Sequence, residues 1–228
     1  MKLLSLNINK FNYDVTKHSV LSYVSSINAD LCILQEYTYK LSIPNTIYPS
    51  DIALNETNKN HSFIIGISSE YLRKDQTEYK FISLQPSKKD YPKVLGVHLA
   101  PNESLSDNIN PELFEIICGD FNTGIKELNK YPTKSTTAYC TLINNYKYID
   151  LWRYAINENK GFIIDCFGNE HLAFPNVFYR TFNTQRINDF IMAKDEFKNK
   201  LIKICIDYRT LAFSDHCAII AKIGRAHV

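Results

Sequence analysis

Residues 114–124 read FEIICGDFNTG: an apolar run, Ile116, Ile117 and Cys118, breaks off at Gly119, and Asp120, Phe121 and Asn122 follow. Side chains alternate faces along a strand, so Asp120 and Asn122 share one side while Phe121 takes the other. An acid and an amide then occupy one small space at the end of a buried strand. A carboxylate there can hold a metal ion or a water, and an amide can donate to an oxyanion. The same letters also fit a strand followed by an Asx-rich turn. The rest of the chain decides between the two.

Residues 2–8 (KLLSLNI) form a short β-like run that ends on Asn7, with Asn9 spaced to face the same way. Over 14–28, Val20, Leu21, Val24 and Ile27 recur at helical spacing, with Asp14 or Thr16 as N-cap. Residues 31–34 are apolar and run into Gln35 and Glu36. The opening unit is thus strand, helix, strand, and both strands finish on polar groups, as at a site on one edge of a sheet. Further strands are predicted over 61–68, 79–84, 93–100 (KVLGVHLA, with His98), 187–193 (INDFIMA), 201–207 and the end of 212–221 (AFSDHCAIIA). A helix is predicted over 136–146 and a short strand over 148–152 (YIDLW), followed by Arg153. Residues 41–60 read as a loop and 161–184 as irregular. Without repeats, low-complexity segments or linkers, residues 1–222 make one α/β domain.

At 228 residues, 45% hydrophobic, the chain can bury a core of useful size. A net charge of +2 gives no overall electrostatic footprint of a nucleic-acid binder, though a nuclease needs only a local basic groove. The six cysteines form no CxxC pair, which argues against a zinc site. Four of them lie in apolar runs and read as reduced and structural. The N-terminal MKLLSLNI is too short an apolar run to read as a signal peptide and has no small-residue cleavage site, and no apolar stretch approaches the roughly 20 residues of a membrane span, so the cytoplasm is the expected location. The last six residues, 223–228 (IGRAHV), match a peptide encoded by a common sequencing adapter. With the apparent break in strand pattern after Ala221, they are expected to be a non-native tail.

The unusual polar positions are Asn7, Glu36, His98, Asp120, Asn122, Asp150, Asp189, Asp215 and His216. Nearly all end a predicted strand. Such an oxygen-rich set favours a hard cation, chiefly magnesium. Acids, amides and histidines together suit hydrolysis of a phosphate ester: charge is stabilised, water is activated and the leaving oxygen is assisted. Each residue also has a plainer reading. Asn7 alone could cap a strand, and His98 could be a satisfied core histidine. Asp150 with Arg153 reads as structural support, a surface pair or a brace for the loop carrying Asp120. Glu36 beside the core is harder to excuse, because a buried carboxylate needs a partner.

LSLNIN, DLCILQE, GVHL, IICGDFN, YIDLWR, RINDFI and FSDH, in this order from Leu3 to about Ala221, resemble the motifs of the endonuclease/exonuclease/phosphatase superfamily. That group includes deoxyribonuclease I, exonuclease III and the AP endonucleases, inositol-polyphosphate phosphatases and bacterial sphingomyelinases. The resemblance implies an α/β (α+β) four-layer sandwich: two mixed, mostly antiparallel sheets face to face with helices outside. It implies a magnesium-dependent phosphodiesterase, with manganese as substitute, acting on nucleic acid as a monomer. The alternatives are a phosphomonoesterase, a lipid-headgroup phosphodiesterase and, behind these, an inactive binding module. By motif position Glu36 is the main metal ligand, supported by Asn7, with Asp215 on the metal side. Asp120 handles the attacking water and Asn122 holds a phosphate oxygen. Asp189 pairs with His216, and His98 is an acid for the leaving group.

Three departures stand out. Near Ile187 the usual Arg-Ile-Asp-aromatic becomes Arg186-Ile187-Asn188-Asp189-Phe190, so either Asn188 replaces the acid or a residue is inserted; Asp189 is preferred, since Asp-Phe-Ile-Met continues as the family strand does. Lys10 stands where many members have Gly. The 21 residues between His98 and Asp120 leave little room for the usual helix.

Overall fold

The computed structural model describes residues 1–8, 13–37, 43–48, 63–73, 80–101, 103–105, 109–125, 137–183 and 186–224. Among the described residues fourteen strands, numbered along the chain, form two sheets. The larger holds β1 (Lys2–Asn7), β2 (Leu31–Tyr37), β3 (Thr46–Ile47), β4 (Phe63–Ile67), β10 (Gly161–Ile164), β11 (Glu170–Leu172), β13 (Leu201–Asp207) and β14 (Ala218–Ile223). Their spatial order is β11-β10-β13-β14-β1-β2-β4-β3. The smaller holds β5 (Tyr71–Arg73), β6 (Phe81–Pro86), β7 (Val94–His98), β8 (Ile116–Ile125), β9 (Ile149–Asp150) and β12 (Ile187–Ala193), in the order β5-β6-β7-β8-β12-β9. Three neighbouring pairs are parallel, β1 with β2, β7 with β8 and β10 with β13; the other pairs are antiparallel.

Alternation explains the layering. Leu3, Leu31 and Ile33 of the larger sheet face Ile82, Val94, Ile116, Cys118 and Ile191 of the smaller, making the core between the sheets. The opposite faces carry Leu4, Leu6, Cys32 and Leu34, packed against Val20, Val24 and Ile27 of α1 (Tyr13–Ile27). On the other side, Leu95, Ile117, Phe190 and Met192 pack against Ala138, Tyr139 and Leu142 of α2 (Ala138–Asn144). The four layers expected from the sequence are therefore present: helix, sheet, sheet, helix. At Gly96 the sheets approach so closely that a Cβ would lie 2.8 Å from both Ile33 and Ile82. Among the described residues no helix is long and apolar enough to cross a membrane.

Several expectations change. The strand over 148–152 is cut to β9, because the Asp150 carboxylate accepts the N–H groups of Trp152 and Arg153 and starts α3 (Leu151–Asn157). That helix sends Leu151, Trp152, Ala155 and Ile156 into the core between the sheets. The supposedly irregular 161–184 contains the hairpin β10–β11, whose outer strand is wholly exposed and so lacks alternation to read. Helix α1 begins at Tyr13, ahead of both expected caps. The short segment before Asp120 holds only a 3-10 turn at Pro111–Leu113 among the described residues, and the short helix α4 (Phe197–Lys200) precedes β13. The strand does not break after Ala221: β14 continues through buried Ile223, which pairs with Leu201 and whose N–H donates to the Met1 carbonyl. Residues 225–228 of the expected tail lie outside the described residues, as do Asn9, Lys10 and nearly all of 41–60 beyond 43–48. All six cysteines are free, and Cys166 is the exposed one.

Candidate active site

The site lies where the C-terminal ends of β1, β2 and β7 meet the middle of β8, and it is built by alternation and by breaks in it. On β1, Leu3 and Ser5 face the smaller sheet, and so does Asn7, which is fully buried. On β8, Ile116 and Cys118 face the larger sheet, and so does Asp120, buried to 1%. Asn7 and Asp120 thus meet across the sandwich, and the Asn7 amide donates to Asp120 Oδ2 at 3.0 Å. Phe121 faces outward into the α2 layer, against Phe190. His98 ends β7 directly beside Asp120 in the parallel register.

Glu36 should by alternation point outward with Cys32 and Leu34. Instead it takes a left-handed φ of 55°, and the β2–β4 register slips between Leu34 and Tyr37. This irregularity lets Glu36 Oε1 accept from the Asn7 amide at 3.2 Å while Tyr37 returns to the outer core. Asn122 is also left-handed, at φ 48°, so it does not share the face of Asp120 in the simple way alternation predicts. Its own N–H donates to Asp120 Oδ1 at 2.8 Å, and its side-chain amide donates to the Leu99 carbonyl at 2.8 Å.

Asp189, rather than Asn188, stands opposite Asp120 in the β8–β12 ladder. Its Oδ2 lies 2.9 Å from His216 Nδ1, while His216 Nε2 is 3.8 Å from Asp120 Oδ2 and 3.9 Å from Asp215 Oδ1. The His216 ring is held from several sides. Ser214 donates from Oγ to the Asn7 carbonyl and accepts the His216 N–H, and Phe182 packs on the imidazole with ring centres 4.7 Å apart. Ser214 is a linking residue that the sequence flagged only as part of FSDH. Asp150 and Arg153 stand apart from this cluster: buried Asp150 caps α3, accepts from the Tyr139 hydroxyl, and lies 3.5 Å from Arg153 Nε. With Asp150 buried, the two do not form a surface pair.

The electrostatics divide the titratable groups. Burial, then the charge of Asp189, pushes Asp120 up to about 7, against the pull of His216 and the donated N–H groups. Burial alone would lower His216, but the charge and hydrogen bond of Asp189, helped by Asp120 and Asp215, outweigh it and raise it to about 9. His98 is lowered, by burial first and by the His216 cation, against the attraction of Glu36. Near neutral pH the site thus holds an imidazolium at 216, a neutral imidazole at 98 and a carboxyl at 120 poised to exchange a proton.

The carboxylates of the site are the donors a hard cation would use. Asp120, Asp189 and His216 each offer an atom within 4.8 Å of the others, but His216, held as an imidazolium, has no lone pair to give. Asp189 Oδ1 is buried and has no hydrogen-bond partner among the described residues, an acceptor left for a cation or donor. Nε2 of His98 lies 3.7 Å from Glu36 and 4.0 Å from Asp120, longer than hydrogen bonds. The donors are mostly oxygen, the chemistry of a hard cation.

No model of a known protein family and no curated protein matches the sequence. Solved structures do match its fold. The endonuclease domain of TRAS1, a telomere-specific non-LTR retrotransposon, superposes with a TM-score of 0.65 at 14% identity, covering 98% of both chains. An AP endonuclease from Archaeoglobus fulgidus gives 0.61 at 14% identity, over 98% of this chain and 99% of its own. The 3′ phosphatase NExo from Neisseria, bound to a product DNA hairpin, gives 0.61 at 14% identity with the same coverage.

Proposed function

We propose that this chain, which has the fold of the endonuclease/exonuclease/phosphatase superfamily, is a divalent-metal-dependent phosphoesterase that hydrolyses nucleic acid. The observation that carries the reading is the Asp189–His216 pair at 2.9 Å, set 3.8 Å from Asp120. A cation, an acid of matched basicity and an orienting carboxylate converge on one point at the meeting edge of the sheets. Asp120, raised to about 7, can take a proton from water near neutral pH. Its Oδ1 is pinned by the Asn122 N–H and its Oδ2 by Asn7, so the acid is aimed before substrate arrives. His216, kept protonated by Asp189, presents Nε2–H to a phosphoryl oxygen and stabilises charge that grows in the transition state.

Glu36, with Asn7 orienting it, is the proposed principal holder of magnesium, and Asp215 extends that side. When bound, the ion supplies Lewis acidity at a phosphoryl oxygen. His98, neutral at rest, sits beside Glu36 and Asp120 as a hydrogen-bond donor toward the leaving oxygen rather than as a resting acid. The Asn122 amide, turned to the Leu99 carbonyl, keeps one donor hydrogen for phosphate. Arg180, which donates to the Asn183 carbonyl beside the Asp215 loop, places a cation on one side for a polyanionic substrate, while Lys80, whose charge reaches His98, is paired with Glu103.

The fold neighbour described as a 3′ phosphatase favours a second reading, a monoester at a DNA 3′ end. The test is a panel of supercoiled plasmid, abasic and 3′-phosphorylated oligonucleotides, RNA, inositol phosphates and sphingomyelin, with magnesium and with EDTA. Magnesium-dependent cleavage of a nucleic acid is expected. Turnover of inositol phosphate or sphingomyelin alone would overturn the nucleic-acid reading.

A further inference from the structure

One residue outside the cluster holds both halves of the Asp189–His216 pair. Thr181 is buried to 1% and touches each partner through a different group. Its Oγ1 accepts the backbone N–H of Asn188 at 2.9 Å and that of Asp189 at 3.1 Å. Its carbonyl accepts the N–H of Cys217, the residue after His216, at 2.8 Å. The two residues that follow extend the grip: Phe182 lies against the His216 ring, and the Asn183 N–H donates to the Asp215 carbonyl at 2.9 Å.

The backbone around Asp189 has reason to need this. Between Ile187 and Asp189 the β8–β12 ladder loses its register: β12 advances two residues while β8 advances from Ile125 to Asp120. Four residues of β8, 121–124, therefore stand against the single Asn188 of β12, and regular pairing does not fix the backbone just before Asp189. Successive N–H groups of a strand normally point to opposite sides. Here both converge on one hydroxyl, which has two lone pairs to offer.

We propose that Thr181 is the positioning residue of the Asp189–His216 pair. Its hydroxyl sets where the Asp189 backbone sits, and its carbonyl sets the strand that carries His216. It touches neither substrate nor metal and acts through these two residues. The inference rests on the hydrolytic reading, but part of its test does not.

The experiment compares Thr181→Val, which keeps shape and removes the acceptor, with Thr181→Ser, which keeps the acceptor. On a substrate the wild type cleaves, Val lowers kcat by about tenfold or more, as expected when a reacting group is misplaced, with KM nearly unchanged. Ser restores most of kcat. Rates are taken per folded molecule, from melting curves of each variant. In the metal-free protein, amide exchange at Asn188 and Asp189 quickens in Val and stays slow in Ser. Wild-type kcat in Val, or equal impairment of Val and Ser, overturns the proposal. So does fast exchange of the two amides in the wild type, which remains decisive if Val fails to fold. A wild type that cleaves nothing on the panel overturns the hydrolytic reading instead and leaves the exchange result standing.

Discussion

Asp120 occupies a place where a carboxyl prefers to keep its proton. The folded protein holds that proton up to about pH 7, whereas an ordinary Asp releases it near 3.8. Between those values the folded state binds more protons than the unfolded, so stability falls as pH rises. His216 adds the same sign over a higher window: its folded value of about 9 exceeds the ordinary 6.5, so its contribution is complete below 6.5 and is lost as pH climbs through 9. The metal-free protein is therefore expected to melt at progressively lower temperature from about pH 5 to 9. In Asp120→Asn the part of this slope below about 7 should flatten. At pH 8 with EDTA the variant should melt several degrees higher than wild type, at about 2–4 °C per kcal/mol for a chain of this size. Its hydrolysis should fall by about 10²–10⁴-fold. Thermal scans against pH check the first part, and a variant that melts lower at pH 8 would refute the strained-carboxyl explanation. Glu36 shows a related strain in its backbone, a left-handed φ that accompanies its reach to Asn7.

Strand β8 carries the acid only because the residue before it has no side chain. Gly119 has φ 141°, and a Cβ there would lie 1.9 Å from the Val97 carbonyl oxygen of the neighbouring strand. Gly119→Ala should cost on the order of 3 kcal/mol, read by urea unfolding, because the clash is with backbone that cannot move aside. A near-neutral result would mean that β7 and β8 are not held in this register. Helix α3 offers a contrast, since Asp150 caps it from a buried position and is not part of the Asp120–Asp189–His216 cluster. Asp150→Ala should lose about 1–2 kcal/mol of stability as a lost N-cap. Turnover per folded molecule should remain that of wild type; a selective loss of kcat would return Asp150 to the catalytic set.

These two elements also show where the sequence was readable. Alternation along Ile116, Ile117 and Cys118 correctly aims Asp120 inward and Phe121 outward, since the ladder with β12 is regular there. It fails at Asn122 and Glu36, where a left-handed residue reverses the phase, and φ leaves no mark in a polar side chain. The strand expected over 148–152 becomes a helix because Asp150 is a cap as well as a strand end. Thr181 was unreadable: it lies in a segment without periodicity, and its role depends on a ladder fault between distant strands.

At the scale of the molecule, one fact organises the rest: two sheets with interleaved connections end their polar residues at a common edge. Asn7 and Glu36 come from the larger sheet, His98, Asp120 and Asp189 from the smaller, and His216 from the turn just before β14 returns beside β1. Neither sheet holds the set alone, so folding of the sandwich and assembly of the site are one event. The charge of the chain is nearly balanced, at +2.

The most direct measurement is hydrolysis of end-labelled DNA by wild type and Asp120→Asn, each with magnesium and with EDTA. The wild type should cut with magnesium and not with EDTA, and the variant, folded by its melting curve, should cut with neither. Cleavage that survives EDTA, or a variant that matches wild type in magnesium, would contradict metal-dependent phosphoester hydrolysis at this site.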